Sequence, residues 1–499
     1  MKKALTVALI LLAAVVTTYG VHLDYSLPFH SDEWDHLTLG KEIVKTGEAD
    51  SVRAYNPYLG EPYRVNRGPA YHLLIALLML HTGLGVTLGT VLPTSIAFAL
   101  GAGTYALAKH ITGSDFAGAL SAVFAMTIKS NVTMLGLWFT VPSAYGIAMA
   151  PLIMYLFIRT LEKGHLLNQY DISLGLILAQ VAFSHPPSAT VLFPVMAAYL
   201  ILHPKTVWKN KKKLAAFAAI GLLLLAIELY IINIPREDIL NPMKFVNRHL
   251  RFTSEDEDSD IRYFYPKFVG RLTLFLTIVG AYTMLSSDKR GESILPIALL
   301  ALLPLVYQYY TTGEVYLTTY RRIFLYNVEI LLILAGIGLY KLYDITSSTV
   351  NRIGDKNIGL PIKAIILAAV LLVTVNQVES TYEYGEKLYH VIEEKDVSPI
   401  LWLKDNTPEN AIVMATPNIA KAITPLADRK IVGIVRTTLR SSEERSDDSW
   451  NFFTVDCDSK KNIARKYGVD YVFHNGPLGC DFLEEIHNEK GDYVYKVNA

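Results

Sequence analysis

His30-Ser31-Asp32-Glu33-Trp34-Asp35-His36 follows closely on the first apolar segment of the chain, residues 4–21. It puts three carboxylates and two imidazoles at the mouth of a membrane helix, where a long polar loop begins. Carboxylates held against a bilayer are costly unless they meet water or a partner, so the cluster marks a functional site. Its plainer reading is a helix cap, since Ser and Asp suit the start of a helix. The fold turns on this junction of a span with a polar loop.

Outward from it, the chain is 499 residues long, 52% hydrophobic and 18% charged. Soluble domains carry about 25% charged residues, so the composition is that of a polytopic membrane protein. A net charge of zero gives no reason to expect nucleic acid as a partner. The two cysteines, Cys457 and Cys480, exclude Cys-based zinc sites and leave one possible disulfide, which needs an oxidising compartment. Met1-Lys2-Lys3 and the apolar run after it resemble a signal peptide, but the run is too long and no Ala-x-Ala site follows. A retained signal-anchor helix is expected.

A span needs about 20 mostly apolar residues. On that rule eleven spans are expected, at 4–21, 88–109, 113–129, 141–160, 171–185, 187–203, 212–232, 267–285, 293–311, 323–342 and 361–378. Residues 70–80 are apolar but short and follow Pro69, so an interfacial helix is expected there. With the N-terminus cytoplasmic, most short-loop Lys and Arg fall inside, Lys209-Asn210-Lys211-Lys212-Lys213 above all. The odd count then leaves the C-terminus extracytoplasmic. The expected domains are a transmembrane module, 1–379, with a first outer loop, 22–69, and an extracytoplasmic α/β domain, 380–499.

In that tail, 398–406 has a helical pattern and a second helix is expected over 460–467. Residues 411–415, 430–435, 471–474 and 493–497 read as short strands. No phosphate-binding glycine loop or catalytic dyad stands out there, and an accessory or acceptor-facing role is expected. The acidic run Ser254 to Asp260 lacks the glycine and terminal glutamate of a calcium loop and reads as a solvated segment.

The first outer loop continues with an amphipathic helix expected over 37–47. Then come Tyr55-Asn56-Pro57-Tyr58-Leu59-Gly60-Glu61-Pro62-Tyr63-Arg64 and Val65-Asn66-Arg67-Gly68-Pro69-Ala70-Tyr71-His72. An acid pair, a helix, a Gly-x-Pro-Tyr turn, a cation near Pro and an apolar helix follow one another in a single loop. This order resembles the first outer loop of GT-C superfamily glycosyltransferases, which take a sugar from a polyprenyl-phosphate carrier. The likeness is to protein O-mannosyltransferases and lipid A aminoarabinose transferases, sharpest over 30–81 and looser beyond.

The resemblance implies roles where residues match. Asp32 would be the base that takes a proton from the acceptor hydroxyl, with Glu33 completing the pair; phosphate is already a leaving group. Arg67 sits where the family has the lysine of Lys-Pro-Pro, which contacts the lipid phosphate; a guanidinium can hold it with two parallel hydrogen bonds. Gly68-Pro69 departs from that motif. Tyr320-Arg321-Arg322 resembles the family's Arg-Tyr motif for the departing phosphate, and reads equally as an interfacial aromatic–cation anchor. His185, in Ser184-His185-Pro186-Pro187, is a candidate acceptor or phosphate contact, or simply a hydrogen-bonded helix terminus. Asp35, Arg64 and Glu228, an acid within a span, complete the candidates.

Oligosaccharyltransferases bind a divalent metal with an acidic motif in the next outer loop. Here that loop, 129–140, has no Asp or Glu, so no tightly bound metal or other cofactor is expected, and transfer of a whole glycan to asparagine is disfavoured. Asn131-Val132-Thr133 is a sequon set against the membrane. The expected activity is inverting transfer of a sugar from a polyprenyl- or dolichyl-phosphate donor to a glycan, lipid or protein acceptor on the extracytoplasmic face. The alternative is a non-enzymatic membrane protein that binds or translocates a polyprenyl-linked glycan.

Overall fold

The computed structural model describes residues 2–23, 25–47, 69–130, 134–163, 167–232, 250–253, 265–286, 293–353, 356–385, 390–435 and 441–498. In chain order the main helices are α1 (Lys2–Thr17), α2 (Ser31–Thr46), α3 (Pro69–Thr82), α4 (Leu88–Thr112), α5 (Asp115–Met126), α6 (Pro142–Glu162) and α7 (Gln169–Ser184). There follow α8 (Pro186–Leu202), α9 (Lys211–Ile232), α10 (Arg271–Leu285), α11 (Ile294–Thr312), α12 (Tyr320–Ile353) and α13 (Lys356–Gly385). The last are α14 (Glu394–Asn406), α15 (Pro417–Ala427), α16 (Glu443–Asn451) and α17 (Cys457–Tyr467). The strands are β1 (Arg251–Thr253), β2 (Glu314–Tyr316), β3 (Ile412–Met414), β4 (Lys430–Ile431), β5 (Tyr471–His474), β6 (Leu483–Glu489) and β7 (Asp492–Val497).

The chain divides into two compact units. The first comprises Met1–Val21, Pro93–Trp138 and Pro142–Lys387; the second comprises His22–Leu92, Phe139–Val141 and Leu388–Ala499. The fold is mostly helical. Among the described residues, five helices are long and apolar enough to cross a membrane: Leu5–His22, Gly85–Thr112, Pro142–Glu162, Ile294–Thr312 and Tyr320–Val350. Five shorter apolar helices accompany them.

In the first unit α12 is the central helix, and 94% of its most apolar stretch is buried. Lipid offers no hydrophobic drive for helix association, so close packing of small residues takes its place. A Cβ on Gly280 of α10 would strike the Leu334 carbonyl, one on Gly338 of α12 the Leu276 carbonyl, and one on Gly336 the Ser121 backbone of α5. Hydroxyls tie the same crossings: Thr277 Oγ1 donates to Leu331 O at 2.8 Å and Ser121 Oγ to Ile333 O at 3.2 Å. Leu176, Phe193, Ile278 and Leu300 stay exposed on the surrounding helices. Such apolar outward faces suit lipid, and the chain is an integral membrane protein.

In the second unit, α2 packs on α3, where Gly40 lies so close to Ile75 that a Cβ would collide with its side chain. The C-terminal part is a five-stranded mixed sheet in the order β4-β3-β5-β7-β6, with β3 parallel to β4 and β5 and the β5-β7-β6 pairs antiparallel. Met414, Phe452, Val472 and Tyr495 form its core with Cys480. Cys457 and Cys480 form a disulfide with their Cα atoms 5.5 Å apart, joining the start of α17 to the approach to β6.

Local expectations differ from the structure at several places. The helix expected over 37–47 starts at Ser31, so the acid pair occupies its first turn rather than the loop before it. The strand expected over 430–435 closes after Ile431. Helices α15 and α16 and strands β1, β2 and β6 were not anticipated. Pro425 interrupts the apparent helical pattern of α15. β6, Leu-Glu-Glu-Ile-His-Asn-Glu, is an edge strand too polar to show a buried alternation.

Candidate active site

The N-terminus of α2 organises the site. His30 caps it in an extended conformation, and its Nδ1 accepts from the Asp32 amide at 3.1 Å. Glu33 Oε2 reaches back to accept from the His30 amide at 2.9 Å, which closes a capping box. Acids in a first turn also meet the positive end of the helix dipole. At the far end, Gly47 adopts φ 71°, the left-handed geometry of a helix C-cap.

The three carboxylates of the opening stretch have three environments. Glu33 is fully buried, and its Oε1 accepts from the Thr140 amide at 2.7 Å. Burial pushes its carboxyl up to about 8, against the lowering effect of its backbone donors. Asp35 is fully buried too, its Oδ2 2.8 Å from Lys421 Nζ, itself fully buried on α15. Asp32 alone of the three keeps access, with a side chain 22% exposed. His30 Nδ1 lies 3.9 Å from Asp32 Oδ2, but burial lowers the affinity of this imidazole for a second proton. With Nδ1 accepting the Asp32 amide, the pair is a neutral imidazole beside a carboxylate rather than an ion pair.

Behind them, His36 Nδ1 and His72 Nε2 of α3 lie 2.9 Å apart, both buried, so one ring donates to the other. Burial lowers His36 to about 4, and it is neutral at physiological pH. The approach to α2 is held by a row of stacked rings: His22 on Phe29 at 4.2 Å and Tyr25 on His390 at 3.7 Å. The Tyr25 hydroxyl donates to Ile392 O at 2.5 Å.

In the first unit, Arg321 and Arg322 stand in the first turn of α12, both part-buried, and the Arg322 amide donates to Thr319 O at 3.1 Å. Tyr320 is fully buried and stacks on Tyr309 at 4.2 Å. His185 ends α7 and precedes α8; it is buried, with Nδ1 2.5 Å from Ser188 Oγ. Gly146 leaves the space that the Ser188 and Tyr326 hydroxyls share beside it. Arg64 and Arg67, the Gly-x-Pro-Tyr turn, the sequon and the acidic run at 254–260 lie outside the described residues. Glu228 belongs to α9, and its side chain also lies outside them.

Sequence reasoning missed three residues. Lys421 and Thr140 bond to acids of the opening stretch from far along the chain, which no local pattern signals. Glu329, within the expected span 323–342, is fully buried, and neither carboxyl oxygen has a hydrogen-bond partner among the described residues. An acid inside an apolar run was its signal. Among the described residues, no group of three or more His, Cys, Asp or Glu is placed to hold a metal ion.

A family model described as a family of unknown function, DUF6541, matches residues 2–493. The chain belongs to this family. A comparison with curated proteins finds no match. Solved structures extend the DUF6541 assignment to a fold. The chain is similar to ArnT from Cupriavidus metallidurans, with a TM-score of 0.62 at 14% identity over 100% of this chain and 98% of that one. It is similar to the archaeal oligosaccharyltransferase AglB from Archaeoglobus fulgidus, with a TM-score of 0.56 at 14% identity over 95% and 69%. It is also similar to the arabinofuranosyltransferase AftD from Mycobacteria, with a TM-score of 0.58 at 12% identity over 99% and 40%. These are GT-C membrane glycosyltransferases, and this DUF6541 chain has their fold, as the order of motifs along the first outer loop led us to expect.

Proposed function

We propose that this protein is a glycosyltransferase that moves a sugar from a polyprenyl- or dolichyl-phosphate donor to an acceptor hydroxyl at the extracytoplasmic face. The observation that carries the reading is the accessible carboxylate of Asp32 in the first turn of α2, beside Glu33 and Asp35, which are buried and engaged. ArnT bound to undecaprenyl phosphate and AglB in complex with a dolichol-phosphate support the donor class. Eleven spans, an internal N-terminus and an external C-terminal domain complete the proposed topology, with residues 1–379 as the transmembrane module and 380–499 as the outer domain.

In this mechanism Asp32 takes the proton of the acceptor hydroxyl as its oxygen attacks the anomeric carbon. The bond from that carbon to the phosphate oxygen breaks, and the electron pair leaves with the polyprenyl phosphate. Attack from the opposite face inverts configuration. Roles in neutralising the phosphate fall to Arg67, Arg321 and Arg322, with Arg64 in support, because guanidinium groups pair with phosphate in two-point geometry. Glu33 and Asp35 act through α2: Glu33 fixes its start and Asp35 anchors it. His185 is assigned a supporting contact with donor or acceptor.

No residue is assigned to a metal, because 129–140 carries no acid. An oligosaccharyltransferase of this fold has been solved with Zn and sulfate, so chelation is part of the test. The purified protein in proteoliposomes is given labelled polyprenyl-phosphate sugars and acceptor fractions from glycan, lipid and protein pools. Transfer that survives EDTA supports the whole reading. Donor binding without transfer to any fraction would instead support a carrier-binding protein, and loss of transfer to EDTA would overturn the metal-free part.

A further inference from the structure

The C-terminal domain looked accessory from its sequence, yet α2 carries a series of bonds to it. Lys41 Nζ lies 2.8 Å from Pro425 O and 2.9 Å from Asp428 Oδ1, and Lys45 Nζ lies 2.8 Å from Glu409 Oε1. These are partly exposed pairs and hold little by themselves. The Asp35–Lys421 pair is different: both side chains are 0% exposed at 2.8 Å. A buried ion pair gains little over a well-packed apolar pair, whereas removing one partner strands a charge in a dry site. Its benefit is therefore geometric, since it admits one register of α2 against α15. Asp35 is three residues after Asp32, a neighbour on the helix surface.

We propose that Lys421 is a positioning residue for the transfer reaction: through Asp35 the C-terminal domain fixes and electrostatically balances the helix turn that presents Asp32. This rests on the reading of Asp32 as the base. Among the described residues, the charged and titratable groups around that turn include His30, Glu33, Asp35 and His36 on the same segment, Tyr25 beside Glu33, Tyr71 and His72 from α3 and Lys421 from α15. The ion pair contributes no net charge beside Asp32, so breaking it from either side has opposite electrostatic consequences.

The test is the pH profile of kcat/KM for transfer in proteoliposomes, with Asp35→Asn, Lys421→Met, the double variant and Asp32→Asn. Lys421→Met leaves a stranded negative charge, so the acid limb moves up by about one pH unit; Asp35→Asn leaves a stranded ammonium, so it moves down by about as much. The double variant returns the limb to the wild-type position. Where a single variant fails to fold, the reversed pair Asp35→Lys with Lys421→Asp is read, and its limb moves down. Folded variants whose limbs do not move would overturn the inference and leave Lys421 a purely structural contact. Substantial turnover by Asp32→Asn would instead overturn the underlying assignment of the base, whatever the limbs do.

Discussion

The Thr140 amide donates to Glu33 Oε1 at 2.7 Å, so a three-residue stretch, Phe139–Val141, is fastened to the first turn of α2. Glu33 spends both oxygens on backbone amides, one on each side of the turn. Its carboxyl is pushed up to about 8, above its ordinary value of 4.5. The native state therefore holds a proton that the unfolded chain has released, and stability from this group falls as pH rises from about 4.5 through about 8. Thermal unfolding of the detergent-solubilised protein at pH 6 and pH 9 will show this slope. Glu33→Gln, which cannot ionise, will flatten it; an unchanged slope would contradict it. The variant also turns an NH2 toward one of the two amides, with an expected loss of about 1–3 kcal/mol.

A second acid acts in the same sense within the sheet domain. Asn475 Nδ2 donates at 2.8 Å to both Asp396 Oδ1 and Asp492 Oδ1. Burial, and then the neighbouring Asp396, push Asp492 up to about 7 from 3.8. Stability from this site is lost as pH rises from about 4 to about 7. Asp492→Asn is expected to stabilise the protein at pH 8 and to change little at pH 4. Equal effects at both pH values, read from melting curves, would contradict the account.

The crossing of α10 and α12 depends on missing side chains. Gly338→Ala sets a methyl against the Leu276 carbonyl, backbone that cannot swing aside, at a cost of about 1–3 kcal/mol. Gly175→Ala on α7 meets nothing within 4 Å and serves as the control. It should leave stability unchanged or slightly improved, since alanine is the better helix former. Melting of the two variants side by side decides the point.

The disulfide closes a segment with a sequence separation of 23. Replacing Cys457 and Cys480 with serine is expected to cost about 3 kcal/mol through the freed unfolded chain. Limited proteolysis near α17 should accelerate in the variant; an identical digestion pattern would show that the sheet domain does not depend on the link.

Much of the architecture was readable along the chain, because helix patterning is local. Each of the eleven apolar segments carries a helix, from α1 through α13, and Pro69 opens α3 close to the expected start. Four expected strands of the tail are present, although the second is cut short. What escaped were contacts that no periodicity encodes. Lys421 lies 386 residues from Asp35, and Thr140 107 residues from Glu33. Three acids in one heptapeptide look alike in sequence; only the fold separates the accessible Asp32 from a buried cap and a buried ion pair. Capping also moved the start of α2, since His30 and Glu33 satisfy its first amides and extend the helix to Ser31.

The central claim is that Asp32 deprotonates the acceptor. Transfer by Asp32→Asn, measured at saturating donor with donor affinity checked separately, tests it most directly. The account predicts a fall in kcat of about 10²–10⁴ with donor binding retained, the contribution a positioned base makes. Turnover close to wild type in the correctly inserted variant would contradict it.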